Sequence, residues 1–456
     1  MAASPPGPRS FLPGGTLLAF RRNPLAFMTR QAERYGPVTH FAIPGQKYYI
    51  LNDPELIRRV LVAEADGFMK SPALQRAKNV LGEGLITSED PLHKKQRKLI
   101  GPSFHAKWVE HYAQTMVRCA ARAPARWKPG TVVDVHEEMM RLTLLIAAET
   151  LFGTDMEADA EVIGQSMDVM LTGFNRAILP WGRLLHKLPL PATRRIERAR
   201  AGVYGTIDRV IAEARWELRA AGGSRRNDIL ARLIEARDDQ SNEAMDDAQL
   251  RAECFTLLTA GHETTANLMT FTWYLLDQHP EVAAKVRAEA DGILHGRLPL
   301  AADAANFVYM RQVLSEVMRI YPPVWVLGRM PTRPFQAGPY TIGPGSAVLM
   351  SQWALHRSPK FWSDPLRFDP QRWADGAPPP PHRYAYFPFG GGPRNCIGDS
   401  FAWLEAVMVL ATLVTQVRFT ECPETKLVLQ PTITLRPKNG LRMKVESEPL
   451  PKVPNV

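Results

Sequence analysis

The sequence predicts a mainly α-helical protein with small β-sheets at its edge, which is an α+β fold. The pattern between about residues 53 and 320 is mainly helical, whereas short strand-like runs occur before and after that stretch. With 45% hydrophobic and 22% charged residues among 456, the composition is that of a globular protein able to bury a sizeable core. We expect a Pro-rich segment at residues 1–15, a single domain at 16–448 and a tail at 449–456.

The first elements expected after the Pro-rich segment are a helix near residues 24–35 and a β-hairpin. In VTHFAIPGQKYYILND, two strand-like runs flank Pro44 and Gly45, a pair that is typical of a turn. Strand signals return in YTIGPGSAVLMS and, near the end, in TITLRPKNGLRMKV. The Asn439-Gly440 pair inside the last run predicts a second hairpin.

A long helix is expected from Asp247 to Asp277, with a length of about 46 Å at 1.5 Å per residue. A membrane span is the rival interpretation, but charged residues such as Arg251 and Glu253 argue against it. The N-terminal residues carry too many prolines and glycines, and too short an apolar run, for a signal peptide or a spanning helix. We therefore expect a cytoplasmic protein that contacts a membrane at most peripherally.

Cysteine usage and net charge limit the possible functions. Cys119, Cys254, Cys396 and Cys422 form no C-x-x-C pair, so a disulfide framework, a zinc knuckle and a c-type haem attachment are all poorly supported. The formal charge of +10 favours an acidic partner protein, an anionic lipid surface or nucleic acid. A basic surface that serves only solubility explains the charge equally well.

Cys396 lies in a glycine-rich loop that is unusual for a lone cysteine. In FPFGGGPRNCIGDSF, Cys396 lies between three glycines and the start of an apolar helix near Asp399. A phosphate-binding loop would need Lys-Ser/Thr after the glycines, a nucleophilic thiol would need a histidine partner, and a plain buried cysteine is common. Glycines that let backbone N–H groups approach the sulfur, and a helix N-terminus directed at it, would favour a thiolate. Such a thiolate is a good axial ligand for haem iron.

The same loop carries a family signature. Phe389, Gly392, Arg394, Cys396 and Gly398 match F-x-x-G-x-R-x-C-x-G, so the chain resembles the cytochrome P-450 superfamily of haem-thiolate monooxygenases, in a bacterial-type form. The resemblance implies a triangular-prism-like domain that holds haem b between a long distal helix and the cysteine loop with its proximal helix. It also implies that Cys396 is the axial ligand of the haem iron.

A second motif lies in the long helix. The run from Ala260 to Thr265, AGHETT, resembles the oxygen-activating motif A/G-G-x-D/E-T-T of the family. The resemblance implies that Ala260 and Gly261 leave room next to the haem. It further implies that Glu263 relays protons from solvent and that the Thr264 hydroxyl holds dioxygen or a water. A Glu-Thr-Thr run by itself more often marks a solvated helix face.

A structural cluster is expected behind the cysteine loop. Glu316 and Arg319 in SEVMRIYPP are three residues apart and so share one helix face, which on its own predicts a routine surface pair. With Arg372 in RFDPQRW, they resemble the Glu-Arg-Arg cluster of the family. The resemblance implies a buried structural lock rather than a catalytic group.

The haem propionates of the family are bound by cations. In HKKQRK, His93 and Arg97 stand at i and i+4 and face one way, as a similar pair does in relatives, although a tryptophan is commoner there than His93. Arg329 and Arg394 occupy two further positions that resemble propionate partners, and guanidinium–carboxylate pairing suits that role.

The same basic run suggests a docking surface. Lys94, Lys95 and Lys98 lie beside the expected haem-edge helix, where they favour an acidic electron donor such as ferredoxin. A nucleic-acid patch and a solvated basic face are the alternatives. Because the chain ends 60 residues after Cys396, we expect electrons from NAD(P)H to arrive through a separate redox partner.

The resemblance implies a monooxygenase that inserts one atom of O₂ into a lipophilic substrate by hydroxylation or epoxidation. The resemblance also implies a pocket that draws on five largely apolar stretches, near 71–86, 171–188, 259–260, 322–328 and 432–434. The mixed apolar and basic stretch 178–191 could touch a membrane surface or cover the pocket as a lid. A peroxide-driven hydroxylase, a haem-dependent isomerase and a non-catalytic haem sensor or carrier are the alternatives. We expect a monomer that binds no nucleic acid.

Overall fold

The computed structural model describes residues 4–8, 14–43, 45–153, 163–167, 169, 170, 173, 190–220, 227–239 and 241–446. Most of the predicted pocket helices and of the lid or membrane-contact stretch, at 171–191, lies outside the described residues. The predicted tail at 449–456 lies outside them too.

Helices make up most of the described chain, and the predicted α+β class is confirmed. The α-helices are α1 Gly15–Arg22, α2 Pro24–Tyr35, α3 Pro54–Arg58, α4 Pro72–Leu81, α5 Leu92–Ile100, α6 Ala106–Arg122, α7 Val135–Phe152, α8 Pro191–Ala220, α9 Ile229–Glu235, α10 Asp247–Gln278, α11 Pro280–Leu294, α12 Val308–Ile320, α13 Gln352–Leu355 and α14 Asp399–Val414.

The strands are short and form four small sheets. They are β1 Val38–Ile43, β2 Gln46–Leu51, β3 Phe68–Lys70, β4 Val132–Asp134, β5 Leu327–Pro331, β6 Phe335–Ala337, β7 Tyr340–Ile342, β8 Ala347–Met350, β9 Phe419–Glu421, β10 Leu429–Pro431, β11 Leu435–Pro437 and β12 Arg442–Val445. The largest sheet has the order β1-β2-β8-β5-β3, and the others are β4-β12-β9, β10-β11 and β6-β7. The predicted hairpin of β1 and β2 is confirmed by their antiparallel pairing.

Helix α10 runs through the core, where it packs against α7, α8, α12 and α14. Its first turn is capped by Asp246, whose carboxylate accepts a hydrogen bond from the backbone N–H of Gln249. Helix α14 is apolar on nearly every side and is buried from residue 405 to 414, as expected of a helix in the centre of a large core. The two helices that the sequence assigned to the distal and proximal sides therefore share one core.

The large sheet contributes a second group of residues. Strand β3, which the sequence analysis missed, pairs antiparallel with β5, and Lys70 lies directly opposite Arg329. Two cations that are distant in sequence thus become neighbours on one sheet.

The predicted hairpin at Asn439-Gly440 is wrong. Strand β11 pairs with β10, whereas β12 joins β4 and β9 in another sheet. The turn itself forms, with a φ of 73° at Gly440. The chain is redirected because the Asp134 carboxylate accepts a hydrogen bond from the Leu441 N–H at 2.9 Å. Within the described residues, no helix combines the length and the apolar character that crossing a bilayer requires.

Candidate active site

The loop before α14 holds Cys396 by backbone hydrogen bonds. The Cys396 N–H donates to the Phe389 carbonyl at 2.9 Å, and the Gly390 N–H donates to the Phe387 carbonyl at 3.0 Å. A third bond, from the Asn395 N–H to the Gly392 carbonyl, closes the turn next to the cysteine. The loop therefore has a defined shape that does not depend on the sulfur.

Gly392 is required by this shape. Its φ is 68°, and a Cβ atom there would lie 1.8 Å from the Leu61 carbonyl oxygen, a backbone atom. A side chain at position 392 would thus be strained in its backbone and would also collide with the turn at Arg59–Ala63.

The Cys396 side chain is surrounded by protein and yet accessible. Burial raises the pKa of its thiol to about 11, whereas the Gly398 N–H and the charge of Arg97 act in the opposite direction. The side chain nevertheless has exposed surface, unlike those of Cys119 and Cys254. A sulfur that is both enclosed and accessible borders an interior space. The positive charge of a bound metal ion would favour the thiolate over the thiol at this position.

Arg97 anchors the loop to helix α5. Its guanidinium donates to the Asn395 carbonyl at 2.8 Å and to the side-chain oxygen of the same residue. Gly398, which precedes α14, and the half-buried Phe389, whose ring centre lies 6.2 Å from that of Trp403, complete the surroundings of the cysteine.

A cluster of cations lies next to this loop. Arg394 donates to the Phe68 carbonyl at 2.8 Å and pairs with Glu89 at 2.7 Å. Arg329 is 7% exposed, and among the described residues its side chain donates only to the carbonyl of the preceding Gly328. This guanidinium is therefore buried without a carboxylate partner in the described part of the chain.

Burial and the repulsion of nearby cations act on Arg329, Lys70 and His93. Burial, followed by the charge of Arg394, lowers the pKa of Arg329 to about 10. Burial also lowers the pKa of Lys70 to about 7 and, together with the charge of Lys70, that of His93 to about 4. Added carboxylates would relieve this repulsion, so the cluster fits a group that carries two propionates next to an accessible sulfur.

Lys70 was not predicted as a member of the cluster. Its ammonium group is buried and donates to the carbonyls of Leu85 and Ser88, both at 2.6 Å. In the sequence it is an ordinary lysine before Ser-Pro, and the strand pairing that buries it joins residues about 260 positions apart.

The motif of the long helix has two faces. The Thr264 hydroxyl donates to the Ala260 carbonyl at 2.7 Å, one turn back, and both residues are half-buried. Gly261, on α10, faces α7, since a Cβ atom at position 261 would lie 3.9 Å from the Cβ atom of Ala147. Glu263 is 3% exposed and points elsewhere, toward the segment between β10 and β11.

The buried acid has polar partners on that side. Glu263 Oε1 accepts a hydrogen bond from the Thr434 hydroxyl at 2.8 Å, and Arg436 Nη1 lies 4.0 Å away. The acid and the alcohol that adjoin in sequence therefore contact different parts of the structure.

Glu316, Arg319 and Arg372 lie together. The Glu316 carboxylate, 0% exposed, accepts two hydrogen bonds from Arg319 at 2.8 Å and one from Arg372 at 3.3 Å. It also accepts from the Asp369 N–H at 2.9 Å and from Trp373 Nε1 at 3.0 Å. Both carboxylate oxygens are thus occupied, and the indole of Trp373 is a partner that the sequence did not indicate.

The three lysines of the predicted docking surface are on α5, and each pairs with a surface carboxylate. Lys94 lies 3.4 Å from Asp90, Lys95 2.8 Å from Glu243 and Lys98 3.0 Å from Asp239. A groove of about 360 Å³ lies along the cysteine loop and includes Phe389, Asn395 and Trp403.

A cysteine loop before an apolar core helix, with cations around it and a polar motif in a second long core helix, is typical of haem-thiolate proteins. Residues 5–445 match the family model for cytochrome P450, and the chain belongs to that family. The resemblance found in the sequence is thereby confirmed.

Relatives extend this result over nearly the whole chain. Cyclooctatin synthase of Streptomyces melanosporofaciens is 37% identical over 93% of this chain and 92% of its own length. Cyclooctat-9-en-7-ol 5-monooxygenase of the same organism is 33% identical over 91% of this chain and 89% of its own. A bifunctional cytochrome P450/NADPH–P450 reductase of Bacillus subtilis is 29% identical over 95% of this chain and 41% of its own.

The family and these relatives define the type of reaction. The chain is a haem-dependent monooxygenase, an oxidoreductase that uses haem iron and O₂ and receives its electrons through a redox partner.

Proposed function

We propose that this enzyme inserts one oxygen atom of O₂ into a lipophilic terpenoid, with haem b as its cofactor and Cys396 as the iron ligand. The observation that carries the site is the accessible sulfur of Cys396 two residues from Arg394, together with the buried Arg329, which pairs with no carboxylate among the described residues. Support for the substrate class comes from the two Streptomyces relatives, whose names refer to cyclooctatin and to cyclooctat-9-en-7-ol.

The chain would hold the haem without covalent attachment. The haem propionates would be bound by four side chains of the cation cluster, Arg329, Arg394, His93 and Arg97. Lys70 would be an additional donor. Gly398 and Phe389 would flank the sulfur, and Ala260 would leave space on the other side. When bound, the haem iron supplies the activation of O₂ and the transfer of one oxygen atom.

Proton handling falls to helix α10. Insertion of one oxygen atom consumes O₂, two electrons and two protons, and it releases one water together with the oxidised substrate. Glu263 would carry protons at its carboxyl group from solvent toward the pocket. Thr264 would hold a proton at its hydroxyl group, which can rotate away from the Ala260 carbonyl to donate into the pocket.

Removal of the Thr264 hydroxyl should uncouple electron consumption from product formation. In Thr264→Ala, we expect electron consumption to continue while product per NADPH falls by about tenfold or more, because the hydroxyl that would donate the proton is lost. The measurement uses ferredoxin, its reductase and a terpenoid identified by the spectral shift on binding. Hydrogen peroxide should account for the missing oxygen.

Two further variants give the controls. Thr264→Ser retains a hydroxyl and should retain most of the coupling, whereas Glu263→Gln should slow product formation. If product formation in Thr264→Ala equals that of the native enzyme and needs no reductant, the peroxide-driven alternative is correct instead.

We also propose that the electron donor is a separate acidic protein, such as ferredoxin, that docks on α5. Lys94 and Lys98 are exposed and Lys95 is partly exposed, and their pairs with Asp90, Glu243 and Asp239 are surface ion pairs, which contribute little to stability. A partner can therefore replace these acids at little cost. The groove of about 360 Å³ beside Trp403 would accept its apolar contacts.

Charge reversal tests this surface. We expect Lys94→Glu with Lys98→Glu to slow reduction by ferredoxin about tenfold at low salt, and the difference to shrink at high salt because exposed charges are screened. Lys285→Glu with Lys426→Glu changes two other exposed lysines by the same total charge. Equal slowing in both double variants would mean that only net charge matters and that α5 is not the docking site.

The domain limits at 16 and 448, the monomeric state, the cytoplasmic location and the absence of nucleic-acid binding stay predictions.

A further inference from the structure

Three polar side chains connect the acid Glu263 to helix α7. The Thr434 hydroxyl donates to Glu263 Oε1 at 2.8 Å, and Asn267 Nδ2 donates to the Thr434 oxygen at 3.2 Å. His136 Nε2 lies 3.1 Å from Asn267 Oδ1. Asn267 is one helical turn beyond Glu263, so both side chains face the same segment.

The hydrogen bond that Asn267 donates to Thr434 determines where the hydroxyl proton of Thr434 points. A threonine hydroxyl has one proton and two lone pairs. Because the Asn267 amide already donates to that oxygen, the hydroxyl proton is free to point at the carboxylate. His136 supports this orientation when it carries a proton on Nε2, since it then donates to the amide oxygen. All three bonds then run toward Glu263 and polarise one another.

Thr434 is itself held in place. The backbone N–H and the hydroxyl of Thr432 both donate to the Thr434 carbonyl, at 2.8 and 3.1 Å. The Trp325 indole donates to the Thr432 carbonyl at 3.0 Å, and the Leu435 N–H donates to the Pro323 carbonyl at 2.8 Å. Thr434 is 4% exposed. These hydrogen bonds therefore fix the position from which the Thr434 hydroxyl donates to Glu263.

We propose that Thr434 is a positioning residue for proton delivery. Its hydroxyl holds one oxygen of Glu263, and Asn267 orients that hydroxyl. The inference rests on the proposed role of Glu263 as the proton carrier. Arg436, at 4.0 Å, supplies positive charge but lies beyond hydrogen-bond distance of Oε1. Of these two side chains, Thr434 therefore makes the hydrogen bond to Oε1, whereas Arg436 contributes charge.

The test compares Thr434→Val, which keeps the shape and removes the hydroxyl, with Thr434→Ser, which keeps the hydroxyl. We expect Thr434→Val to lower product per NADPH about threefold to tenfold, the effect of losing one hydrogen bond of ordinary strength. Its solvent kinetic isotope effect on product formation should rise, while KM stays close to the native value. Thr434→Ser should restore both quantities.

A second readout is independent of activity. We expect Thr434→Val and Glu263→Gln each to lower the Tm of the holoprotein, and the double variant to lower it by clearly less than the sum. Additive shifts would show that the two side chains do not interact and would overturn the proposal.

The outcomes also separate this proposal from the proposed function. If Glu263→Gln slows product formation but Thr434→Val does not, Glu263 is the proton carrier and Thr434 does not position it. If Glu263→Gln itself leaves product formation unchanged, the proposed role of the acid fails, and the positioning role fails with it. If Thr434→Ser behaves like Thr434→Val, the effect is one of packing, which also overturns the proposal.

Discussion

Replacement of Cys396 by serine is expected to abolish monooxygenase activity. The loop around residue 396 is held by backbone bonds from Cys396 to Phe389 and from Asn395 to Gly392, so serine should fit without a change of shape. What changes is the donor atom, because a hydroxyl oxygen replaces a soft and polarisable sulfur. After reduction under carbon monoxide, the variant should lack the strongly red-shifted Soret band that marks thiolate ligation.

Cys422→Ser is the matched control, since Cys422 is partly exposed and lies far along the chain from the loop. It should keep the red-shifted band and the native turnover. A Cys396→Ser protein with a native spectrum would show that another residue ligates the iron, and the assignment of the site would be wrong.

Loss of the Glu316 carboxylate is expected to have the largest effect on folding. In Glu316→Ala, the guanidinium of Arg319 remains buried at 0% exposure with its countercharge gone. The Asp369 N–H and the indole of Trp373 lose their acceptor as well. Breaking a buried ion pair in this way costs about 3 to 5 kcal/mol. Denaturant unfolding should report this loss, and the purified variant should contain little haem.

The structure offers a control of the same spacing. Glu55 and Arg58 also form an i,i+3 pair, at 2.7 Å, but their side chains are 49% and 42% exposed. Glu55→Ala should therefore leave the free energy of unfolding close to that of the native protein. Recovery of normal, fully loaded protein from Glu316→Ala would contradict the structural role of the buried cluster.

Local patterns were sufficient to predict the bounds of the long helix. The long helix was expected from Asp247 to Asp277 and is found from Asp247 to Gln278, because both of its ends have local signals. Asp246 caps the first turn, and the His279-Pro280 pair ends the helix, since the residue before a proline avoids the helical conformation.

Strand partners were less predictable, because pairing joins distant residues. Asn439-Gly440 correctly predicted a turn but could not reveal that β12 would pair with β4 and β9 rather than with β11. Strand β3 has only three residues, and its partner β5 begins more than 250 residues later. No local pattern could specify either choice.

The candidate site shows the same division. The signature around Cys396 and the run from Ala260 to Thr265 could be read directly from sequence. The roles of Lys70 and Thr434 could not, although 432–434 was expected to line the pocket, because only the fold brings these two residues to Arg329 and Glu263. Arg97 was expected near the propionates and contacts Asn395, a bond that its position on α5 does not reveal.

In laboratory evolution of this enzyme, Gly392 is expected not to tolerate substitution. Libraries that vary the cysteine loop to alter redox behaviour can include Asn395, whose substitution removes a side-chain contact. They should leave residue 392 unchanged, because even alanine would collide with the Leu61 carbonyl. Compensation would require moving the turn at Arg59–Ala63, so adaptive paths through position 392 need at least two simultaneous changes.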